Sequence, residues 1–134
     1  VETEILLLFV GLLLALVVVF FFKRAKKLPR RIAEEAARNI RATEKLAPAH
    51  AIIEAHKIFI FTLATLINPD QRKRIKAVDV VKKFVKRMPN EAQIWKTHRL
   101  RNRIAHEPNI NISTTHADLA RRDLIRAIQS LSKK

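Results

Sequence analysis

The chain has 134 residues, with 27 Lys/Arg against 12 Asp/Glu, no cysteine and one glycine. Without cysteine there is no disulfide framework and no thiolate metal site, and one glycine cannot build a phosphate-cradling or dinucleotide-binding loop. The net charge of +15 calls for anionic company, either lipid headgroups or nucleic acid.

Residues 5–22 are an unbroken apolar run of 18 residues. As a helix this run is about 27 Å long, close to the hydrocarbon thickness of a bilayer. Gly11 lies inside it, where a lipid-embedded helix tolerates glycine. Glu2 and Glu4 precede the run, and Lys23, Arg24, Lys26, Lys27, Arg30 and Arg31 follow it. A cleaved signal peptide needs a basic leader and a small-residue cleavage site, neither of which is present. The pattern predicts a transmembrane anchor over 1–27. Every Lys/Arg follows the span, which places the N-terminus outside and the remainder in the cytoplasm. The basic flank then lies against anionic lipids of the inner leaflet. Residues 23–134 carry 27 basic and 10 acidic side chains, a net of +17, so the flank accounts for only part of the excess.

Pro29, Pro48, Pro69, Pro89 and Pro108 punctuate the rest. Proline is excluded from helix interiors but accepted in the first turn or just past the end. The intervals lack strand-like alternation, so the fold class is all-α. Segment 30–47 is polar and alanine-rich, with a thin stripe of Ile32, Ala36, Ile40 and Thr43, and 28–48 reads as a helical stalk or linker. Residues 49–134 read as a cytoplasmic helical bundle.

Within that bundle, segment 49–67 is the expected core helix, with a wide face of Ile52, Ile53, Phe59, Ile60, Leu63, Leu66 and Ile67. His50, Glu54, His56 and Lys57 argue against a second span. Segment 69–88 is amphipathic, entered through an Asn68-Pro69 cap. Ala77, Val78, Val81, Phe84, Val85 and Met88 form its apolar stripe. Arg72, Lys73, Lys76, Lys83, Lys86 and Arg87 lie opposite, as a solvated face, a membrane-surface contact or an RNA and anion-binding surface. Asn90 with Gln93 and Thr115 with Asp118 suggest capping boxes for the last two helices. Segment 117–131 closes the core with Ala120, Leu124, Ala127, Ile128 and Leu131.

Segment 90–107 carries the chemistry. On a helical wheel Ile94, Trp95, His98, Arg101, Asn102, Ala105 and His106 share an arc of about 140°, with Leu100 and Ile104 nearly opposite. Lys96, Arg99 and Arg103 form the solvent strip. A guanidinium that faces a bundle needs a partner or a cleft. Arg101, Asn102 and His106 therefore form a candidate site: arginine suits phosphate oxygens and imidazole suits proton transfer. His98, on the same face, is an accessory candidate or a satisfied core histidine, and His56 reads as the latter. No H-x-x-x-H or comparable ligand spacing is present, so no metal and no cofactor is expected. Phe59, Phe61, Phe84 and Trp95 suit a core better than a base-stacking surface.

At Arg101, Asn102 and His106 the sequence resembles the HEPN superfamily, whose signature is an arginine, often followed by a polar residue, with a histidine a few positions later. The resemblance implies a four-helix up-and-down bundle and a homodimer that cleaves RNA without metal through attack of the ribose 2′-hydroxyl. His106 would then be the general acid or base, Arg101 would stabilise phosphate charge, and Asn102 would orient the site. The longer run from Trp95 to Glu107 is also similar to small single-span bacterial membrane proteins, in which the position of His56 is commonly acidic. The specific resemblance covers about 13 residues. The alternative is a non-catalytic module with RNA or an unidentified protein as partner. In that case Arg101 pairs with Glu54, Asp118 or Asp123, and Arg101, Asn102 and His106 form a structural polar network.

Overall fold

The computed structural model describes residues 1–22, 26–67 and 75–133. It is all-helical. The one strand-like pairing among these residues is an isolated parallel bridge between Leu28 and Ser132. The first helix, α1 (Glu2–Phe22), is apolar around its circumference. It is long and apolar enough to cross a membrane, and none of its 18-residue window over Glu2–Val19 is buried against protein.

Helix α2 (Arg30–Ala42) begins directly after Pro29, whose fixed φ suits a helix entry. It buries Ala33, Ala36, Ala37 and Ile40 against α3 (Pro48–Ala64) and α6 (Thr114–Ser130). The segment expected as a stalk is therefore part of the bundle. Of the expected stripe, Ala36, Ile40 and Thr43 are buried while Ile32 is exposed, and the alanines Ala33 and Ala37 complete the buried face. A 3-10 turn at Thr43–Lys45 leads to Pro48 in the first turn of α3.

Helix α3 is the core helix the sequence indicated. It buries Ala51, Ile52, Ala55, His56, Phe59, Thr62, Leu63 and Ala64. It ends three residues short of the expected 67, where the Thr65 hydroxyl donates to the Thr62 carbonyl at 2.6 Å and competes with the helical pattern. The proposed Asn68-Pro69 cap lies outside the described residues. Helix α4 (Ala77–Phe84) passes into a 3-10 turn at Val85–Arg87. Its buried stripe is Val80, Val81, Phe84, Val85 and Met88, rotated from the expected one: Val80 is fully buried while Ala77 and Val78 are half-exposed.

Helix α5 (Glu91–His106) starts at Asn90, which makes no side-chain cap with its own helix. The Asn90 amide instead donates to the Asp123 carbonyl at 2.9 Å, which joins the start of α5 to α6. The cap of α6 also differs from the Thr115 and Asp118 pairing. The Ser113 hydroxyl accepts from the His116 N–H, and the Ser113 N–H donates to His116 Nδ1, both at 3.2 Å.

Two apolar clusters set the position of α5. The main core takes Ile94 together with Leu28, Ile40, Phe59, Val80, Leu124 and Ile128. A smaller cluster of Ala51, Ile52, Ala117 and Ala120 receives Leu100 and Ile104. Apolar contacts on both flanks hold α5 against α3, and the strip between them carries the polar residues. At the chain's entry to the bundle, Leu28 is fully buried. Its N–H donates to the Leu131 carbonyl at 2.8 Å, and its carbonyl accepts from the Lys133 N–H at 2.9 Å.

Candidate functional site

The strip between the two clusters is a hydrogen-bonded chain that starts in the core and ends at the surface. His56 on α3 and His98 on α5 are both buried, with Nε2 of His56 and Nδ1 of His98 3.0 Å apart. The Trp95 and His98 rings pack in a T-shaped arrangement, 5.9 Å between centroids and 81° between planes. His98 Nε2 lies 3.4 Å from the Asn102 amide nitrogen, and the Arg101 guanidinium donates to Asn102 Oδ1 at 3.2 Å.

These contacts dictate one set of protons. Arg101 can only donate, so Asn102 offers its oxygen to the guanidinium and its N–H to His98 Nε2. His98 then carries its proton on Nδ1 and donates to His56 Nε2. The donor direction runs unbroken from Arg101 to His56, and it requires both imidazoles to be neutral. Burial first, and then the neighbouring His98 and Arg101, together lower the pKa of His56 from 6.5 to about 3. Burial likewise lowers His98, followed by the charges of Arg101 and Arg99. An added proton on His56 Nε2 would oppose the His98 Nδ1–H at 3.0 Å, and one on His98 Nε2 would oppose the Asn102 N–H at 3.4 Å.

Arg101 is half-exposed and pairs with an uncharged amide. The side-chain ion pairs among the described residues are Arg30–Glu34, Arg103–Glu107 and Arg121–Asp118. None of the expected carboxylates reaches Arg101. Asp118 serves Arg121, three residues on. Asp123 is partly buried, which raises its pKa, and the charges acting on it come from Arg122, Arg126 and Lys96. The guanidinium is thus oriented by Asn102 and has no carboxylate partner among the described residues.

His106 is the last residue of α5 and is exposed, and its ring makes no hydrogen bond among the described residues. It lies five positions after Arg101, a helical rise of about 7.5 Å and a rotation of about 140°. The two side chains of one copy diverge and do not converge on a single phosphate. Two cavities among the described residues lie elsewhere. One of about 550 Å³ is lined by α2 residues and the C-terminal end, and one of about 400 Å³ lies between α2 and α3. The structure therefore joins Arg101, Asn102 and His98, and adds His56, while His106 stands apart.

On the basic face, Lys76, Lys83 and Lys86 are exposed, as is Lys82, which the sequence reading did not single out. Arg87 is engaged. It lies 5.8 Å over the Phe84 ring and donates to the Lys26 carbonyl at 2.6 Å. Arg72 and Lys73 lie outside the described residues. In the flank, Lys26, Lys27, Arg30 and Arg31 are exposed, and Arg30 pairs with Glu34 at 2.9 Å. Lys23 and Arg24 lie outside the described residues. No group of three His, Cys, Asp or Glu suited to a metal occurs among the described residues.

Fold and site together define an all-helical bundle behind an apolar N-terminal helix, with a His–His–amide–guanidinium chain that ends at the surface. No family model matches the chain, and neither a curated protein nor a solved structure matches it.

Proposed function

We propose that the protein is a membrane-anchored, cytoplasmic, HEPN-like module that binds RNA and cleaves it without metal across a homodimer. The observation that carries this reading is Arg101: a half-buried guanidinium, fixed by Asn102 and with no carboxylate partner among the described residues. Such a group is well suited to a phosphate, which it can engage with two parallel N–H donors.

In the proposed dimer, Arg101 from each copy binds non-bridging oxygens of one phosphodiester. One His106 takes the proton of the ribose 2′-hydroxyl as its oxygen attacks phosphorus. The other His106 gives a proton to the departing 5′-oxygen as the P–O5′ bond breaks. The products carry a 2′,3′-cyclic phosphate and a 5′-hydroxyl. The exposure of His106 supports a role that a second copy completes, because one copy's Arg101 and His106 point apart. Asn102 is a positioning residue, propped by His98 and His56. Lys76, Lys83 and Lys86 extend the phosphate-binding surface. Helix α1 serves as the anchor, with its basic flank on anionic lipid.

Detergent-solubilised full-length chain, incubated with single-stranded RNA in EDTA, tests the reading. Wild type should shorten the RNA and His106→Ala should not. A second reading is favoured by the unbroken hydrogen-bonded chain from Arg101 to His56, which is equally a clasp between α3 and α5. It makes the protein a non-catalytic RNA- or protein-binding module. Salt-sensitive RNA binding without cleavage selects it.

A further inference from the structure

A cationic groove opens beside the point where the chain enters the bundle. Its floor is Ala33 and Ala37 on α2. Arg30, Arg38 and Arg41 on the same helix and Lys133 at the C-terminal end supply its charge, and its volume is about 550 Å³. Glu34 is the one acidic residue in the lining, and it is held by Arg30 at 2.9 Å. Arg38, Arg41 and Lys133 are exposed and have no ion-pair partner among the described residues. The groove thus carries three positive charges that no carboxylate among the described residues pairs.

Its placement is fixed by backbone bonds. Leu28, two residues before Arg30, is bonded to Leu131 and Lys133, so the end of α6 and the start of α2 form one rim. Lys26 and Lys27, both exposed, immediately precede this rim, and Arg87 bonds the Lys26 carbonyl. From Phe22, the end of the apolar helix, to Arg30 is eight residues, so the groove mouth lies within roughly 27 Å of that helix end even if the chain is fully extended.

We propose that this groove binds the phosphate headgroup of an anionic membrane lipid, and so sets the α2 side of the bundle against the bilayer. Arg30 and Lys133 flank the headgroup at the mouth. Arg38 and Arg41 continue the positive field along α2, about 12 and 16 Å further on, where further headgroups meet them if α2 lies along the surface. The proposal rests on α1 being a membrane anchor and is independent of RNA cleavage.

The full-length chain in nanodiscs of mixed phosphatidylcholine and phosphatidylglycerol provides the test, with retained lipid read by native mass spectrometry. Wild type should retain phosphatidylglycerol over phosphatidylcholine. The variant Arg38→Ala/Arg41→Ala/Lys133→Ala should lose the preference by about fivefold per cation removed. The variant Lys96→Ala/Arg99→Ala/Arg103→Ala, with the same charge loss on the solvent strip of α5, should keep it. Equal preference in all three proteins would overturn the proposal. Displacement of the lipid by soluble glycerol phosphate at low concentration would reassign the groove to a free phosphate. Loss of RNA affinity in the groove variant with its lipid preference intact would reassign it to nucleic acid. Failure of the chain to enter nanodiscs would overturn the anchor reading and this proposal with it.

Discussion

Arg101 is held by an uncharged partner, and this sets how the residues behind it respond to substitution. Removing its side chain breaks one bond to Asn102 and leaves no carboxylate unpaired. Arg101→Ala should therefore change unfolding stability by no more than about 1 kcal/mol in denaturant titration, while RNA affinity falls in the same preparation. A large loss of stability would instead mark Arg101 as part of the fold's polar clasp. His56 makes a separate prediction. Its folded pKa of about 3 lies below its ordinary 6.5. Between those values the unfolded chain binds a proton that the folded chain excludes, so stability falls as pH drops. The loss should reach roughly 3 kcal/mol by about pH 4. His56→Gln keeps an acceptor for His98 but cannot titrate, and urea unfolding at neutral and acid pH should show a flatter dependence. The sequence showed each histidine as a core residue but not their contact, since 42 positions separate them and no local periodicity links them. It also offered three carboxylates for Arg101 without revealing that Asp118 is taken by Arg121.

Helices α2 and α6 show where element-level patterns succeed and fail. The apolar run of α3 was plain because Ile52, Phe59 and Leu63 are large and regularly spaced. Helix α2 was obscure because alanine contributes little hydrophobicity to a stripe, although its packing is tight. Ile40 is the one large side chain on its buried face and is fully buried. Ile40→Ala should cost about 2–5 kcal/mol, a loss that an independent stalk would not show. At the start of α6, Ser113 and His116 satisfy two backbone groups in place of the pairing expected from Thr115 and Asp118. A histidine in the third helical position is not the usual Glu or Gln of a capping box, so the signal was easy to miss. Ser113→Ala should destabilise the bundle by about 1 kcal/mol, seen as a lower Tm.

At the scale of the whole molecule, the bundle begins earlier than the sequence indicated. Leu28 belongs to the main core and is bonded on both sides to the C-terminal end. A soluble fragment spanning 26–134 should outlast one spanning 30–134 by about 1.5–3 kcal/mol in unfolding stability, the worth of one buried leucine. The apolar helix was legible because lipid demands a long, uninterrupted composition. The site was legible only as a residue list, because its geometry depends on α3, which lies far from α5 in the sequence. The most direct measurement is end-group analysis of single-stranded RNA treated with the full-length protein in EDTA, comparing wild type with His106→Ala. Fragments ending in 2′,3′-cyclic phosphate from wild type alone are predicted; RNA left equally intact by both proteins would contradict metal-free cleavage through Arg101 and His106.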